Sequence, residues 1–200
     1  MVSSPSIRSV CVYCGSSPGN DPEFENQARK LGELIAGNEW RLVYGGGDWG
    51  LMGAVAEAAL SKGGAVLGVI PEFFLEYEPN RKAKNIEGAV MEIVPDMHTR
   101  KARMFEESDA FIALPGGIGT LEEVVEMLTW SQLGRHTKPV GLLNIANFWS
   151  PYVQLMDHMA QSGFLHNPER IAPVVCTDAE AMMQSLSALF DEAPGIESQG

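Results

Sequence analysis

The sequence predicts an α/β protein: a doubly wound parallel sheet of about seven strands with helices on both faces. Short apolar runs alternate with longer amphipathic stretches along the 200 residues. Several of these runs are apolar at consecutive positions, which is typical of strands in a sheet that helices cover on both faces. A β-α-β-α alternation of this kind favours strands that run parallel to one another.

The predicted strands are the short apolar runs, which are rich in β-branched residues. They occupy residues 9–13, 41–44, 65–70, 89–94, 110–114, 140–144 and 172–176. The predicted helices are the amphipathic stretches between them. They occupy residues 21–37, 50–62, 97–107, 120–133, 148–162 and 178–190. Residues 72–88 mix aromatic with charged side chains where a crossover helix is expected, so we predict a lid or a lip of a pocket there.

The chain is predicted to form a single domain over residues 1–200. No shift in composition and no internal repeat marks a second domain, and 200 residues suit one well-packed α/β unit. The first and last stretches, residues 1–6 and 191–200, are expected to be frayed tails.

The charge of the chain restricts its partners. It carries 14 Lys and Arg against 26 Asp and Glu, a net charge of −12. Nucleic-acid affinity depends largely on clustered cations, so we expect no nucleic-acid partner. No apolar run approaches the ~20 residues that cross a bilayer, and the N-terminus lacks the apolar stretch of a signal peptide. We therefore expect a cytoplasmic protein with no membrane partner.

Cys11 and Cys14 form a C-x-x-C pattern, which is found in redox and zinc sites. Here the pattern lies in a predicted strand, where positions three apart point to opposite faces. A second pair of zinc ligands with suitable spacing is missing, because Cys176 and the four histidines are scattered. We predict two buried thiols and no metal site.

Glycine-rich or small-residue turns follow three of the predicted strands, at residues 14–20, 45–53 and 115–120. In an open parallel sheet, ligands bind beyond the carboxyl ends of the strands, so all three turns are expected at the ligand edge. Residues 45–50, GGGDWG, also match the dinucleotide pattern G-x-G-x-x-G, but glycine-rich turns meet that pattern easily. No Walker-type triphosphate motif is present, which leaves a monophosphate or a dinucleotide as the ligand.

The stretch LPGGIGTLEE, residues 114–123, has the composition of an anion cradle. Its glycines, Gly116, Gly117 and Gly119, would let the backbone approach a ligand closely. Thr120 is predicted to open a helix, whose free N–H groups and dipole favour an anion. That helix is expected to bury Leu121, Val124, Val125 and Leu128.

Thr120 and Glu123 also match a capping box, in which both side chains bond to the helix backbone. Thr177 and Glu180 match the same pattern with no glycines before them, so capping alone does not explain the glycines. A phosphate at the start of the helix would repel a carboxylate tied to the cap. We therefore expect Glu123 to turn into the pocket.

A second group of polar residues lies in DMHTRKARM, residues 96–104. It holds Arg100, Lys101 and Arg103, a cluster that would suit a phosphate or an electron-rich transition state. The spacing fits a solvated helix face equally well, so both interpretations stay open. His98 is expected to be a surface or cap residue.

These residues resemble the Lonely Guy family of cytokinin riboside 5′-monophosphate phosphoribohydrolases, many of which carry the label lysine decarboxylase. PGGIGTLEE fits the motif P-G-G-x-G-T-x-x-E and MHTRKARM fits its companion M-x-x-R-K. The segments VCVYCGSSPG, LVYGGGDWGLMG and GVIP match further landmarks, so the resemblance covers about residues 9–145. It implies a Rossmann-like sheet and a homodimer that helps to complete the site. No residue cluster in the sequence requires a metal, and we expect no cofactor.

The resemblance also implies roles for individual residues. Arg100 and Glu123 would form the catalytic pair. The nucleotide would be bound by Lys101, Gly116, Gly117, Gly119 and Thr120, with Thr129 as a further substrate contact. The implied reaction is hydrolysis of the N-glycosidic bond of an adenosine 5′-monophosphate, N6-prenylated, to free base and ribose 5-phosphate.

This chemistry suits the residues. Glycosidic cleavage builds positive charge on the ribose, which the Glu123 carboxylate can stabilise, or the same group can activate water. Arg100 would neutralise charge on the departing base or the phosphate. Two alternatives are a general AMP nucleosidase and a non-catalytic nucleotide carrier. A pyridoxal decarboxylase would need a Schiff-base lysine, whereas Lys101 is flanked by cations and suits a phosphate better.

Overall fold

The computed structural model describes residues 8–77 and 86–192. Within these residues, seven strands form one sheet in which every pair of neighbours is parallel. They are β1 (Ser9–Tyr13), β2 (Arg41–Tyr44), β3 (Val66–Pro71), β4 (Val90–Val94), β5 (Ala110–Ala113), β6 (Val140–Leu143) and β7 (Val174–Cys176). The prediction of a parallel α/β sheet is confirmed.

The strands alternate with α-helices in the described part of the chain. These are α1 (Pro22–Gly37), α2 (Gly50–Ser61), α3 (Glu72–Tyr77), α4 (Met97–Glu106), α5 (Ile118–Gln132), α6 (Ser150–Gln161) and α7 (Ala179–Glu192). Short 3-10 helices cover 145–147 and 168–170. Part of the expected lid, 72–77, is thus helical, and 78–85 lie outside the described residues. Of the expected tails, residues 1–6 and 193–200 also lie outside the described residues, whereas residues 191 and 192 belong to α7.

The strand order is β4-β3-β2-β1-β5-β6-β7, so the direction of winding reverses between β1 and β5. A crevice opens at such a switch point, beyond the carboxyl ends of the two strands. The turns that follow β1 and β5 therefore face each other across the expected ligand position.

Apolar side chains cover the sheet in two layers. One layer packs β1 and β2 against α1, α2 and α7, and the other packs the opposite face against α4, α5 and the region of Trp149. Cys14 belongs to the first layer and Cys11 to the second, and both are buried and free. The prediction that these thiols lie on opposite faces is confirmed, and the sheet is doubly wound.

Aspartates cap three of the helices. The carboxylate of Asp21 accepts a hydrogen bond from the N–H of Glu23 at 2.9 Å, and that of Asp96 accepts one from Thr99 at 2.7 Å. At α7 the cap is Asp178, whose carboxylate accepts from the N–H of Ala181 at 2.8 Å. The capping box expected from Thr177 is therefore wrong, because the helix starts one residue later.

No helix in the described ranges has both the length and the apolar character needed to cross a membrane.

Candidate active site

The three glycine-rich turns meet at the carboxyl edge of the sheet, as expected. The N–H of Gly15, after β1, donates to the carbonyl of Pro115, after β5, at 3.0 Å. The carbonyl of Gly15 accepts from the N–H of Leu51, at the start of α2, at 3.1 Å. These backbone bonds hold the three turns together around one edge of the crevice.

A cavity of about 430 Å³ lies at this edge. Its wall combines the end of β1, the turns after β1 and β2, and parts of α2 to α5. The lining residues are Val12, Tyr13, Cys14, Gly15, Ser16, Gly45, Met52, Phe74, Met97, Arg100, Met104, Gly117, Ile118, Gly119, Thr120, Glu122 and Glu123.

Arg100 and Glu123 form an ion pair in the wall of the cavity, with Nη1 and Oε1 3.1 Å apart. Both side chains are only 11% exposed. Two backbone carbonyls also bind the Arg100 guanidinium. Nε donates to the carbonyl of Val69 at 3.0 Å, and Nη2 donates to the carbonyl of Gly45 at 3.4 Å. A guanidinium fixed at three points keeps the carboxylate in one place.

Burial raises the pKa of Glu123 to about 7, although the positive charge of Arg100 opposes the rise. The neighbouring Glu122 carboxylate raises it further, and Lys101 lowers it. A carboxyl group that titrates near neutral pH exchanges protons readily under physiological conditions, as acid-base groups in active sites do.

Helix α5 begins earlier than predicted, at Ile118, with Gly117 as the N-cap residue. Its first hydrogen bond runs from the N–H of Leu121 to the carbonyl of Gly117 at 3.1 Å. Thr120 therefore lies inside the first turn, so it does not form the alternative capping box with Glu123, and Glu123 lines the cavity as expected. The N–H groups of residues 118–120 precede that first bond, which leaves them directed out of the helix end beside the cavity.

The glycines of this stretch have two different roles. A Cβ atom on Gly116 would overlap the hydroxyl of Thr120, so this glycine makes room for that side chain. A Cβ atom on Gly117 or Gly119 would meet nothing within 4 Å, and neither residue has a positive φ. Neither packing nor backbone geometry therefore requires glycine at positions 117 and 119. Because glycine has no side chain, the surface of the cavity stays open at these two positions.

The cation cluster of α4 divides in the structure. Arg103 pairs with Glu92, Glu106 and Glu107 at 2.7 to 2.8 Å, so the interpretation as a solvated face is correct for this residue. Lys101 lies outside the cavity lining and pairs with Glu122 at 2.6 Å and with Glu126 at 3.1 Å.

The ion pairs of Lys101 outweigh its partial burial. Burial lowers the pKa of the Lys101 ammonium, but hydrogen bonds to Glu122 and Glu126 leave it above its ordinary value. The lysine therefore stays charged beside the start of α5.

Thr129 lies farther along α5, where its hydroxyl donates to the carbonyl of Val125 at 2.7 Å. It is exposed and lies outside the cavity lining. Val125 was expected in the core but is 43% exposed, because the buried stripe of α5 includes Glu123 and Met127 instead. The burial of Glu123 follows from its place on this stripe.

Sequence reasoning missed several residues of the cavity. Met52, Met97 and Met104 line it together with Phe74, and they form its apolar part. Methionine at helical spacing is common in cores, so the sequence carried no signal for these positions. Gly45 was noted for a dinucleotide pattern, whereas its carbonyl contacts Arg100. Across the described residues, no group of three or more His, Cys, Asp or Glu side chains is arranged to hold a metal ion.

Comparison with known proteins gives consistent matches over most of the chain. A family model described as "Possible lysine decarboxylase" matches residues 52–186. A cytokinin riboside 5′-monophosphate phosphoribohydrolase of Rhodococcoides fascians is 44% identical over 182 residues, which cover 91% of this chain and 90% of that protein. A protein of Arabidopsis thaliana with the same enzyme name is 42% identical over 180 residues, covering 90% and 83% respectively.

Solved structures share the fold at low identity. A molybdenum cofactor binding protein of Rippkaea orientalis superposes with a TM-score of 0.67 at 22% identity, covering 94% of this chain and 99% of that one. DNA processing protein A of Streptococcus pneumoniae gives 0.59 at 14% identity, covering 89% of this chain and 61% of that one. These similarities extend to the fold alone.

Proposed function

Because this chain belongs to the Lonely Guy family of cytokinin riboside 5′-monophosphate phosphoribohydrolases, we propose that it cleaves the N-glycosidic bond of N6-prenylated adenosine 5′-monophosphate. The products are the free base and ribose 5-phosphate. The observation that carries the proposal is the buried pair of Arg100 and Glu123, which lies beside the open N-terminus of α5. A carboxylate and an anion site in one cavity are what a nucleoside monophosphate hydrolase needs.

The phosphate binds at the start of α5. Three backbone N–H groups at that end have no acceptor within the helix, and the helix dipole favours a negative charge there. Gly116, Gly117, Gly119 and Thr120 form the cradle. The phosphate is held at a distance from the reacting bond. Its binding orients the ribose and places the glycosidic bond near Glu123.

Lys101 belongs to the proposed binding set. Its partner Glu122 is about half exposed and lines the cavity, so the ammonium can exchange this carboxylate for a ligand phosphate. Its second partner, Glu126, keeps the lysine beside α5 during the exchange.

Glu123 acts in its carboxylate form. It stabilises the positive charge that develops on the ribose, or it removes a proton from the attacking water. Arg100 neutralises negative charge on the departing base or the phosphate. The catalytic groups of the proposal are these two side chains, and the reaction uses no cofactor or metal.

The apolar part of the cavity supports a base with an apolar substituent. Met52, Met97, Met104 and Phe74 offer apolar contacts to the faces of a purine ring and to a prenyl group. The apolar lining favours a prenylated base over plain adenine, and the buried pair of Arg100 and Glu123 in the cavity wall favours catalysis over a carrier role.

The direct test compares two substrates. The protein is incubated with AMP and with isopentenyladenosine 5′-monophosphate, and free base and ribose 5-phosphate are separated by chromatography. The proposal expects both products, with faster turnover of the prenylated nucleotide. Equal turnover would favour the general nucleosidase, and tight binding without products would favour the carrier.

A homodimer is part of the proposal, and the exposed face of α5 supports it. Ile118, Val125 and Leu133 lie on this face and are 81%, 43% and 67% exposed. Thr129 lies on the same face, while Ile118 also lines the cavity. A second copy packed here would cover the apolar residues and bring Thr129 close to substrate across the interface.

The dimer can be tested in solution. We expect light scattering after size exclusion to give twice the chain mass, and Leu133→Asp to shift it toward the monomer. A wild-type protein that stays monomeric at micromolar concentration would contradict this part of the proposal.

The proposed location is the cytoplasm, which the three unpaired cysteines support.

A further inference from the structure

The glycine-rich turn after β2 faces the catalytic arginine. Its first residue, Gly45, accepts a hydrogen bond from Nη2 of Arg100 at 3.4 Å and lines the cavity. A Cβ atom built on Gly45 would overlap the same Nη2 atom, and the guanidinium carbon would lie 3.3 Å away. Even the smallest side chain at position 45 therefore competes with Arg100 for space.

Arg100 has little freedom to move aside. Its Nε donates to the carbonyl of Val69 in β3, and its Nη1 reaches Glu123. The side chain is only 11% exposed, so most of it is enclosed by protein. A displaced guanidinium would lose at least one of its three acceptors, which are Val69, Gly45 and Glu123.

The other two glycines of the triplet 45–47 would not bring a side chain against Arg100. Gly46 has a φ of +78°, a conformation that favours glycine. A Cβ atom on Gly47 would approach the flexible end of Met52 at 3.0 to 3.2 Å, without contacting Arg100. Of the three glycines, Gly45 is thus the one whose missing side chain leaves room for Arg100 in its ion pair with Glu123.

We propose that Gly45 is a positioning residue for the hydrolysis: the space left by its missing side chain and its carbonyl oxygen together fix the guanidinium of Arg100 against Glu123. The role in turnover rests on the proposed function. The geometric role does not, and the two can be tested apart.

The titration of Glu123 reports the position of Arg100. The charged and titratable groups around this carboxyl are Arg100 and Lys101 from α4, Glu122 from α5, Cys11 and Tyr13 from β1, and Cys14 directly after β1. Arg100 is the largest of the influences that lower its pKa. Moving the guanidinium away removes that influence, so the pKa of Glu123 rises.

The experiment compares Gly45→Ala with Gly47→Ala, the same change two residues away, and with Gly37→Ala, where a Cβ atom would meet nothing within 4 Å. The titration of Glu123 is followed by carbon-13 NMR of its carboxyl group without substrate. Gly45→Ala is expected to raise the midpoint by about one pH unit or more. Both controls should titrate like the wild type. An unchanged midpoint in folded Gly45→Ala would overturn the proposal.

Turnover gives the second readout. Gly45→Ala is expected to lower kcat at least tenfold with a smaller change in KM, and to shift the acidic limb of the pH profile upward. If the wild type releases no base, the proposed function fails while the NMR titration still tests the position of Arg100.

A double variant covers the case in which Gly45→Ala does not fold. Arg100→Lys removes the forked guanidinium that the new methyl group would overlap. In that background, Gly45→Ala is expected to cost much less thermal stability than in the wild type. An equal loss in both backgrounds would show that the glycine serves only the turn, and would overturn the proposal.

Discussion

Arg100 and Glu123 lie 23 positions apart in the chain, yet their side chains meet in a 3.1 Å ion pair. One belongs to the first turns of α4 and the other to the first turns of α5. Both helices leave the carboxyl edge of the same parallel sheet and pack on the same face, which brings their N-terminal turns together. The winding of the chain therefore brings the two residues together, and it places this ion pair in the wall of the cavity.

Replacing Glu123 by Gln removes the carboxylate and keeps the shape of the side chain. We expect kcat to fall by about 10²- to 10⁴-fold, the usual contribution of a positioned acid-base group, with KM changed only a few-fold. Steady-state kinetics on the prenylated nucleotide measures both quantities. Glu106→Gln, an exposed carboxylate paired with Arg103, serves as the control and should keep wild-type turnover. Unchanged turnover in Glu123→Gln would remove this residue from the catalytic pair.

The rate should depend on pH through the protonation of Glu123. Burial raises the pKa of this group to about 7, and the proposed mechanism requires the carboxylate. The rate is therefore full above the pKa and falls as the pH drops through it, to about a tenth of the plateau one unit below.

A pH profile of kcat at saturating substrate checks this, because the phosphate of free substrate itself titrates near pH 6 and affects KM. A rate that rises toward acid pH would assign Glu123 the opposite role, that of a proton donor.

Gly119→Ala tests the phosphate cradle. The methyl group would meet no protein atom within 4 Å, so the fold should tolerate it, and a helix gains up to about 1 kcal/mol from alanine. The same methyl group would stand on the surface where phosphate is proposed to bind. We expect KM to rise about tenfold while the melting temperature stays constant or increases. Inhibition by ribose 5-phosphate should weaken in parallel, and an unchanged KM would show that no ligand approaches this surface.

Arg103→Ala separates structural cations from functional ones. Arg103 is about one third exposed and, among the described residues, pairs with three carboxylates that lie outside the cavity lining. Its loss should therefore cost about 1 kcal/mol of unfolding free energy. Its kcat and KM should match the wild type, whereas Arg100→Ala should lose turnover. Denaturant unfolding and kinetics on both variants test this division. A large loss of activity in Arg103→Ala would show that Arg103 also takes part in the function of the site.

The sequence predicted the strands closely because their apolar runs are continuous and bounded by turns. All seven lie within a residue or two of the predicted positions. It was less reliable at helix starts. The patterns at Thr120 and Thr177 both match a capping box, but the helices begin at Ile118 and Ala179. A short side-chain pattern does not report the backbone conformation of the residues before it, and that conformation decides where a helix begins.

The sequence by itself determined the class of fold, the edge of the sheet at which the three glycine-rich turns meet, and the candidate residues Arg100 and Glu123 at that edge. Periodicity and glycine spacing are local properties, and both are readable without coordinates. Only the tertiary structure decided that Glu123 is buried against Arg100, that Arg103 belongs to a separate ion-pair network, and that Gly45 gives Arg100 its space. Each of these depends on distances between segments far apart in the chain, and packing of the sheet against its helices sets those distances.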